Sequence, residues 1–295
     1  MTPHDRLVED AVAGKSTVML VGGMDTGKTT LARRLLAAAL AAGRRGAFLD
    51  GDVGQKTVGP PTAVTLKVVR DPADLEPERL AAEDHLWFVG STSPQGHLLP
   101  LVTGMTQLLR RARDAGADFV VVDTSGMVAG IYGQILKYHK VEMLGPDLVV
   151  GLQRGEELLP LLGVIQRFFA TEVVPLPVPP GVVPTTVEQR ADNREAAMRR
   201  YFAADLHRFR VKPTVFMPTL PPLFDLAQLD RLVVGLSDGA GAYTGLGYLE
   251  HTPGEDLRLV TPVALGPKAL RLGGVRLDGS YQARRVDLRN LFGTE

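Results

Sequence analysis

Cysteine is absent from the 295-residue chain, which excludes disulfides, thiolate nucleophiles and any cysteine-built zinc site. Histidine is scarce. The six histidines stand at 4, 85, 97, 139, 207 and 251 with no helical i, i+4 pair, so a histidine-rich metal centre is not expected. Net charge is missing too: 33 basic side chains balance 33 acidic ones, which excludes a generally basic nucleic-acid coat but leaves room for a local basic groove. No run of about 18 apolar residues occurs, and the N-terminal MTPHDRLVEDAVAGK has no apolar signal core, so a cytoplasmic protein without a membrane span is expected. What remains is a chain 45% apolar, of a length suited to one large domain or to a domain with a smaller companion.

From residue 17 to about 178, short β-branched runs alternate with longer helical patterns. TVMLVGG, GAFLD, LWFVG, DFVVVDT, DLVVGL and EVVPLPV read as strands; TTLARRLLAAALAAG, LLPLVTGMTQLLRRARDAG, YGQILKYHKVEML and EELLPLLGVIQRFF read as helices. This alternation predicts βαβ units, and so an α/β fold with a mainly parallel sheet flanked by helices. PLPVPPGVVPTT has too many prolines for a helix or a central strand and reads as an extended connector. One more helix is expected over about 186–205. Beyond about 208 the runs VKPTVFMP, RLVVGLS, GLGYLEH, LRLVTPV, GGVRL and RRVDL, separated by Gly, Pro and Asp turns, predict a small β-rich domain to residue 295.

GGMDTGKT at 22–29 fits G-x-x-x-x-G-K-[ST], with an apolar strand before it and an alanine- and leucine-rich helix after. In that setting the amides of Gly22, Gly23, Met24, Asp25, Thr26, Gly27, Lys28, Thr29 and Thr30 surround phosphate oxygens at a helix N-terminus. Lys28 reaches the terminal phosphates and the Thr29 hydroxyl is placed to ligate magnesium. Binding of a nucleoside triphosphate follows.

AFLDGDVGQ at 47–55 ends an apolar run with Asp50 and Asp52, which share a face if the chain is still extended there. DFVVVDTSG at 118–126 resembles the strand end of SRP- and MinD-class P-loop proteins, with Asp123 near the magnesium. GTPases of that class commonly carry [NT]-K-x-D, and no lysine in this chain has an aspartate two positions later, which favours ATP or a relaxed base preference.

Other signals have a bland reading beside the functional one. GLSDG at 235–239 matches the G-x-S-x-G nucleophile elbow, but the glycine-rich, strand-like AGAYTGLGYLEH follows it instead of a helix, so a structural turn is expected. GSTSPQGH at 90–97 reads equally as substrate contact or as a turn and helix cap by Ser93. Arg190 and Arg194 share a helix face, either solvated or acting as a lid over transferring phosphates. KYHK at 137–140 is expected on an exposed helix surface, with a polyanion contact as the alternative.

Taken in order, these motifs resemble the polynucleotide 5′-hydroxyl kinase family, the P-loop RNA kinases related to the pre-mRNA cleavage-factor and rRNA-processing kinases. The resemblance covers GGMDTGKTT, DGDVGQ with Asp52 placed 24 residues beyond Lys28, TSPQG at 92–96, the "clasp" DTSGMVAG at 123–130, and R-x-x-x-R at 190–194 with YF at 201–202 as the lid. It implies transfer of the ATP γ-phosphate to the 5′-hydroxyl of single-stranded RNA or DNA, with Mg2+. By the same resemblance Lys28 and Thr29 hold the triphosphate and metal, and Asp52 activates the hydroxyl. Gln55, Thr92, Ser93, Gln95, Thr124, Ser125 and Gly126 face substrate, while Arg190 and Arg194 close over the reaction. Asp50 is given metal-bound water or the support of Asp52.

Met127 stands where some relatives place a base-stacking aromatic. The phosphate strand starts by residue 17, so the N-terminal domain of eukaryotic members, with its partners, is not expected. Two other classes compete: an SRP- and MinD-type switch or metallochaperone NTPase, in which Asp50 and Asp52 hold the metal, and a non-catalytic nucleic-acid-binding relative.

Overall fold

A computed structural model describes residues 2–254 and 257–293. In chain order the elements are helix α1 (Pro3–Gly14), strand β1 (Thr17–Gly22), α2 (Lys28–Ala41), β2 (Gly46–Gly51), β3 (Ala63–Val69), α3 (Pro77–Leu80), β4 (His85–Phe88) and α4 (Leu98–Asp114). They continue with β5 (Phe119–Thr124), α5 (Gly130–Leu144), β6 (Leu148–Gln153), α6 (Leu159–Phe168), β7 (Glu172–Pro177) and α7 (Val187–Tyr201). The rest is β8 (His207–Arg210), β9 (Phe216–Met217), β10 (Leu232–Ser237), β11 (Tyr243–Glu250), β12 (Arg258–Thr261), β13 (Ala269–Leu277), β14 (Ala283–Arg285) and α8 (Leu288–Phe292).

The chain divides into two compact units. One takes the chain up to Asp52, then Val64–Asp84 and Leu98–Thr186; the other takes Val53–Ala63, His85–His97 and the chain from Val187 on. The units are thus interleaved rather than joined at one point near 207, and α7 belongs to the second.

In the first unit the strand order is β3-β2-β5-β1-β6-β7. The last five run parallel, and β3 is antiparallel to β2. β1, β2 and β5 are buried at every position, which is why their sequences are nearly continuous apolar runs. β7 pairs with β6 alone in this unit and tolerates Pro175 and Pro177, whose missing N–H groups would break a central ladder. Helix α1, absent from the sequence expectations, begins with a Thr2/Asp5 capping box and ties to α2 through Asp5 and Arg34 at 2.6 Å. Parallel alignment carries the ends of β1, β2 and β5 to one edge, where ligands of open α/β sheets bind.

The second unit is mainly antiparallel. β10 lies between β11 and β13, β11 also pairs with β12 and β4, β12 with β8, and β13 with β14, while β9 joins β13 in parallel. LWFVG, expected among the parallel strands, is therefore β4, facing β11 antiparallel through Leu86 and Tyr243. Phe88, Met198, Phe202 and Tyr248 share its core. Met198 and Phe202 each contribute about 1.5–3 kcal/mol on full burial and fix the C-terminal end of α7 in this unit, helped by the Leu246 amide donating to Tyr201 Oη at 2.7 Å. GLSDG is the β10–β11 turn: Ser237 Oγ accepts the Gly239 amide, and no helix follows. Among the described residues no helix is long and apolar enough to cross a membrane.

Candidate functional site

Strand β1 ends at Gly22 and α2 starts at Lys28, so the phosphate loop is the connection between them. Its backbone needs glycine at two points. A Cβ on Gly22 would stand 2.6 Å from Thr26 Oγ1 and 2.8 Å from Leu152 O, and Gly27 sits at φ +84° as the N-cap of α2. Lys28 Nζ donates to the Gly22 and Gly23 carbonyls at 3.1 and 2.5 Å, holding its charge against the loop. Burial keeps that ammonium below the ordinary lysine range, against the opposing pull of Asp123, Asp52 and Asp25. The loop is also held from outside. Arg154, just past β6, donates to Asp25 O at 2.5 Å, and the Asp25 carboxylate accepts from Thr185 N at 3.0 Å and from Thr185 Oγ1. The proline-rich connector is thereby tied back to the phosphate loop.

The parallel register of β2 and β5 sets Asp50 directly beside Asp123. Thr29 Oγ1 donates to Asp123 Oδ2 at 2.8 Å, and Asp123 Oδ1 accepts the Thr124 amide at 2.7 Å. Burial, opposed by Lys28 and reinforced by Asp50, pushes the Asp123 carboxyl up to about 6. Asp50 and Asp52 do not share a strand face: β2 stops at Gly51, Asp50 is buried, and its Oδ1 accepts the Asp52 amide at 3.0 Å. Asp50 thus shapes the turn from which the half-buried Asp52 projects.

Thr29 and Asp123 fit a magnesium ion, which takes one or two protein oxygens and completes its octahedron with phosphate and water. A cage built by protein alone is not there: among the described residues no group of three or more His, Asp or Glu side chains is arranged for a metal.

The loop after β5 lies against the phosphate loop. Thr124, expected to face substrate, turns its hydroxyl to Leu20 O at 2.8 Å and anchors the loop to β1. Ser125 is buried, with no hydrogen-bond partner for its Oγ among the described residues, and Gly126 packs on Met24. A Cβ at Gly126 would come within 2.6 Å of Met24 Cγ, 2.7 Å of Met24 N and 3.0 Å of Met24 Cα, and main-chain atoms cannot give way cheaply. Gly126→Ala is therefore expected to weaken ATP binding about tenfold or more and to cost about 1–3 kcal/mol of stability, read by nucleotide titration and thermal unfolding.

KYHK corrects its expectation. Lys137 and Lys140 are each 0% exposed, and only Tyr138 and His139 turn outward. Burial, then Lys140 and Lys28, drive the Lys137 amine well below the usual lysine range. The signal was in the helical period: 133, 136, 137, 140, 141 and 144 form the buried face of α5, and both lysines fall on it.

The remaining expected residues belong to the second unit. Gln55 Nε2 donates to Arg190 O at 3.0 Å, joining the end of DGDVGQ to the start of α7. Arg190 and Arg194 are half-buried, unlike the exposed Arg199 and Arg200, so their face of α7 is not simply solvated. Ser93 Oγ accepts the Gln95 amide within its own turn and does not cap α4; Thr92 stands beside it in the same bend.

The pattern of the family described as mRNA cleavage and polyadenylation factor CLP1 P-loop matches residues 22–204, from the phosphate loop through α7. The chain belongs to this family. Among similar proteins is a polyribonucleotide 5′-hydroxyl-kinase of Pyrococcus horikoshii, 28% identical over an alignment 342 positions long, gaps included, that covers 93% of this chain and 92% of the relative. Another of the same name, from Methanocaldococcus jannaschii, is 33% identical over 189 residues, covering 63% of this chain and 50% of its own. A chain of the Clp1p–Pcf11p complex shares the CLP1 fold with a TM-score of 0.72 at 15% identity, covering 92% of this chain and 77% of that one.

Proposed function

We propose that this chain is an ATP-dependent polynucleotide 5′-hydroxyl kinase acting on single-stranded RNA or DNA. The observation that carries the reading is Asp52, an acid coupled to Lys28 and Asp123 yet standing outside the Thr29–Asp123 pair suited to metal and phosphate. A switch NTPase needs acids for the metal, whereas a kinase needs one more for the acceptor. The full-length similarity to a relative named polyribonucleotide 5′-hydroxyl-kinase supports the same reading.

In the reaction the acceptor 5′-oxygen attacks the γ-phosphorus in line, the bond from that phosphorus to the bridging oxygen breaks, and ADP leaves. Asp52 takes the hydroxyl proton. Lys28 and the loop amides hold the β- and γ-phosphates, and the family resemblance gives the loop of Ser125 and Gly126 the contact with the acceptor strand. Magnesium, when bound at Thr29 and Asp123, supplies charge neutralisation on the phosphate oxygens. The family resemblance gives Arg190 and Arg194 the task of offsetting phosphate charge, and gives Gln55, Thr92, Ser93 and Gln95 contacts to substrate.

The test is incubation with γ-labelled ATP and 5′-hydroxyl oligonucleotides in RNA and DNA versions. Label on the oligonucleotide is the expected result. Release of free labelled phosphate with an unlabelled oligonucleotide, or no reaction at all, would sink the kinase reading.

A further inference from the structure

Two buried lysines take no part in the transfer just described. Lys137 and Lys140 lie three residues apart on the inner face of α5, but their ammonium groups reach different loops. Lys137 Nζ donates to Ser125 O at 2.7 Å, in the loop after β5, and Lys140 Nζ donates to Gly51 O at 3.2 Å, immediately before Asp52. One turn of one helix therefore holds both the turn that carries Asp52 and the loop formed by Thr124, Ser125 and Gly126.

Packing alone does not call for amines at these positions. Desolvating an ammonium is costly, and Lys137 also meets like charge from Lys140 and Lys28. Methionine would fill similar space without that cost. The opposing charge on Lys137 comes from Asp52 and Asp123, and Asp123 is in turn coupled to Asp50. A second observation falls on the loop that Lys137 grips: its buried Ser125 Oγ has no hydrogen-bond partner among the described residues. A hydroxyl in that condition is held in place by the backbone around it, and Lys137 is bonded to the carbonyl of that same residue, beside the Asp123 carboxylate that takes the Thr124 amide.

We propose that Lys137, together with Lys140, is a positioning residue for phosphoryl transfer: the two amines lock the Asp52 turn and the 124–126 loop to one helix, so that the base and the acceptor-gripping loop keep a fixed separation. The inference rests on the kinase reading, in which Asp52 accepts the acceptor proton. Neither lysine is asked to touch substrate.

Full-length K137M and K140M test it. For K137M, kcat for labelling a 5′-hydroxyl oligonucleotide is expected to fall about thirtyfold or more, as a displacement of order 1 Å does, while KM for ATP stays within about threefold. Hydrogen exchange of the nucleotide-free protein supplies a readout that needs no turnover. K137M is expected to speed exchange about tenfold in peptides spanning 124–127, and K140M in peptides spanning 50–53, with the 22–29 peptide unchanged. Wild-type kcat in both variants, or unchanged exchange in both loops, overturns the proposal. So does a rise of KM for ATP that accounts for the whole loss of kcat/KM. Should K137M not fold, K140M carries the same test at the Asp52 turn. A wild-type protein that labels no oligonucleotide strikes the kinase reading alone, since loop exchange still decides whether the lysines hold the loops.

Discussion

Asp52→Asn is expected to lower label transfer by about a hundredfold or more while leaving ATP affinity nearly unchanged, within the usual range for a positioned base. Asparagine keeps the shape and the main-chain link, because the Asp52 amide still donates to Asp50 Oδ1. It cannot take a proton. The Thr29–Asp123 hydrogen bond and the residues of the phosphate loop stay as they are, so nucleotide titration of the variant reads binding separately from turnover. Near-normal turnover would remove Asp52 from the mechanism. A matching loss of ATP affinity would move it from the acceptor to the nucleotide or metal.

Lys28→Met is expected to have the broader effect. Its ammonium is placed on the loop carbonyls of Gly22 and Gly23, and it is buried there. With nucleotide, that charge is what the terminal phosphates meet. Both ATP affinity and transfer should fall, transfer by about 10²–10³ as when an electrostatic donor is deleted from a transition-state site. Oligonucleotide labelling at saturating ATP, with an independent nucleotide titration, separates the two losses. Unfolding in the absence of nucleotide is expected to change little, because methionine replaces a desolvated charge with an apolar stem. ATP binding at wild-type strength would show that the loop amides alone hold the phosphates.

Local signals were legible wherever one element carries its own pattern. The phosphate loop was visible because a strand, a glycine turn and a helix start lie in consecutive residues. The runs that became β1, β2, β5 and β6 were visible because burial on both faces demands unbroken apolar side chains, whereas β7, with only Leu176 buried, was visible through its β-branched Val173 and Val174. By contrast β3, AVTLKVV, was missed although almost all of it is buried. It pairs antiparallel with β2 across the long connection 52–62, with no tight hairpin turn to announce it. β4 was seen as a strand but placed in the wrong company, since an apolar run reports burial and says nothing of its partner's direction, and Tyr243 lies far along the chain from Leu86.

The site divides in the same way. Lys28 and Thr29 were named from the local G-x-x-x-x-G-K-[ST] spacing, and Asp52, 24 residues beyond Lys28, from the family resemblance. The separation of Asp50 from Asp52 could not, because it depends on where β2 ends and on one carboxylate turning back to an amide. Thr124 was expected to face substrate; the closeness of β1 turns its hydroxyl to Leu20 O instead. KYHK was expected outside, and counting its charges hid the helical period that places Lys137 and Lys140 within.

The sequence by itself determined the phosphate loop, the mainly parallel α/β frame and the order of the motifs, because each is written in the chemistry of neighbouring residues. Only the tertiary structure decided that Asp50 stands in register with Asp123, that Lys137 and Lys140 are buried with their amines on Ser125 O and Gly51 O, and that each compact unit is built from separate stretches of the chain. Those facts depend on which distant segments exclude water from one another, and burial of that kind has no local signature strong enough to outweigh a charged side chain.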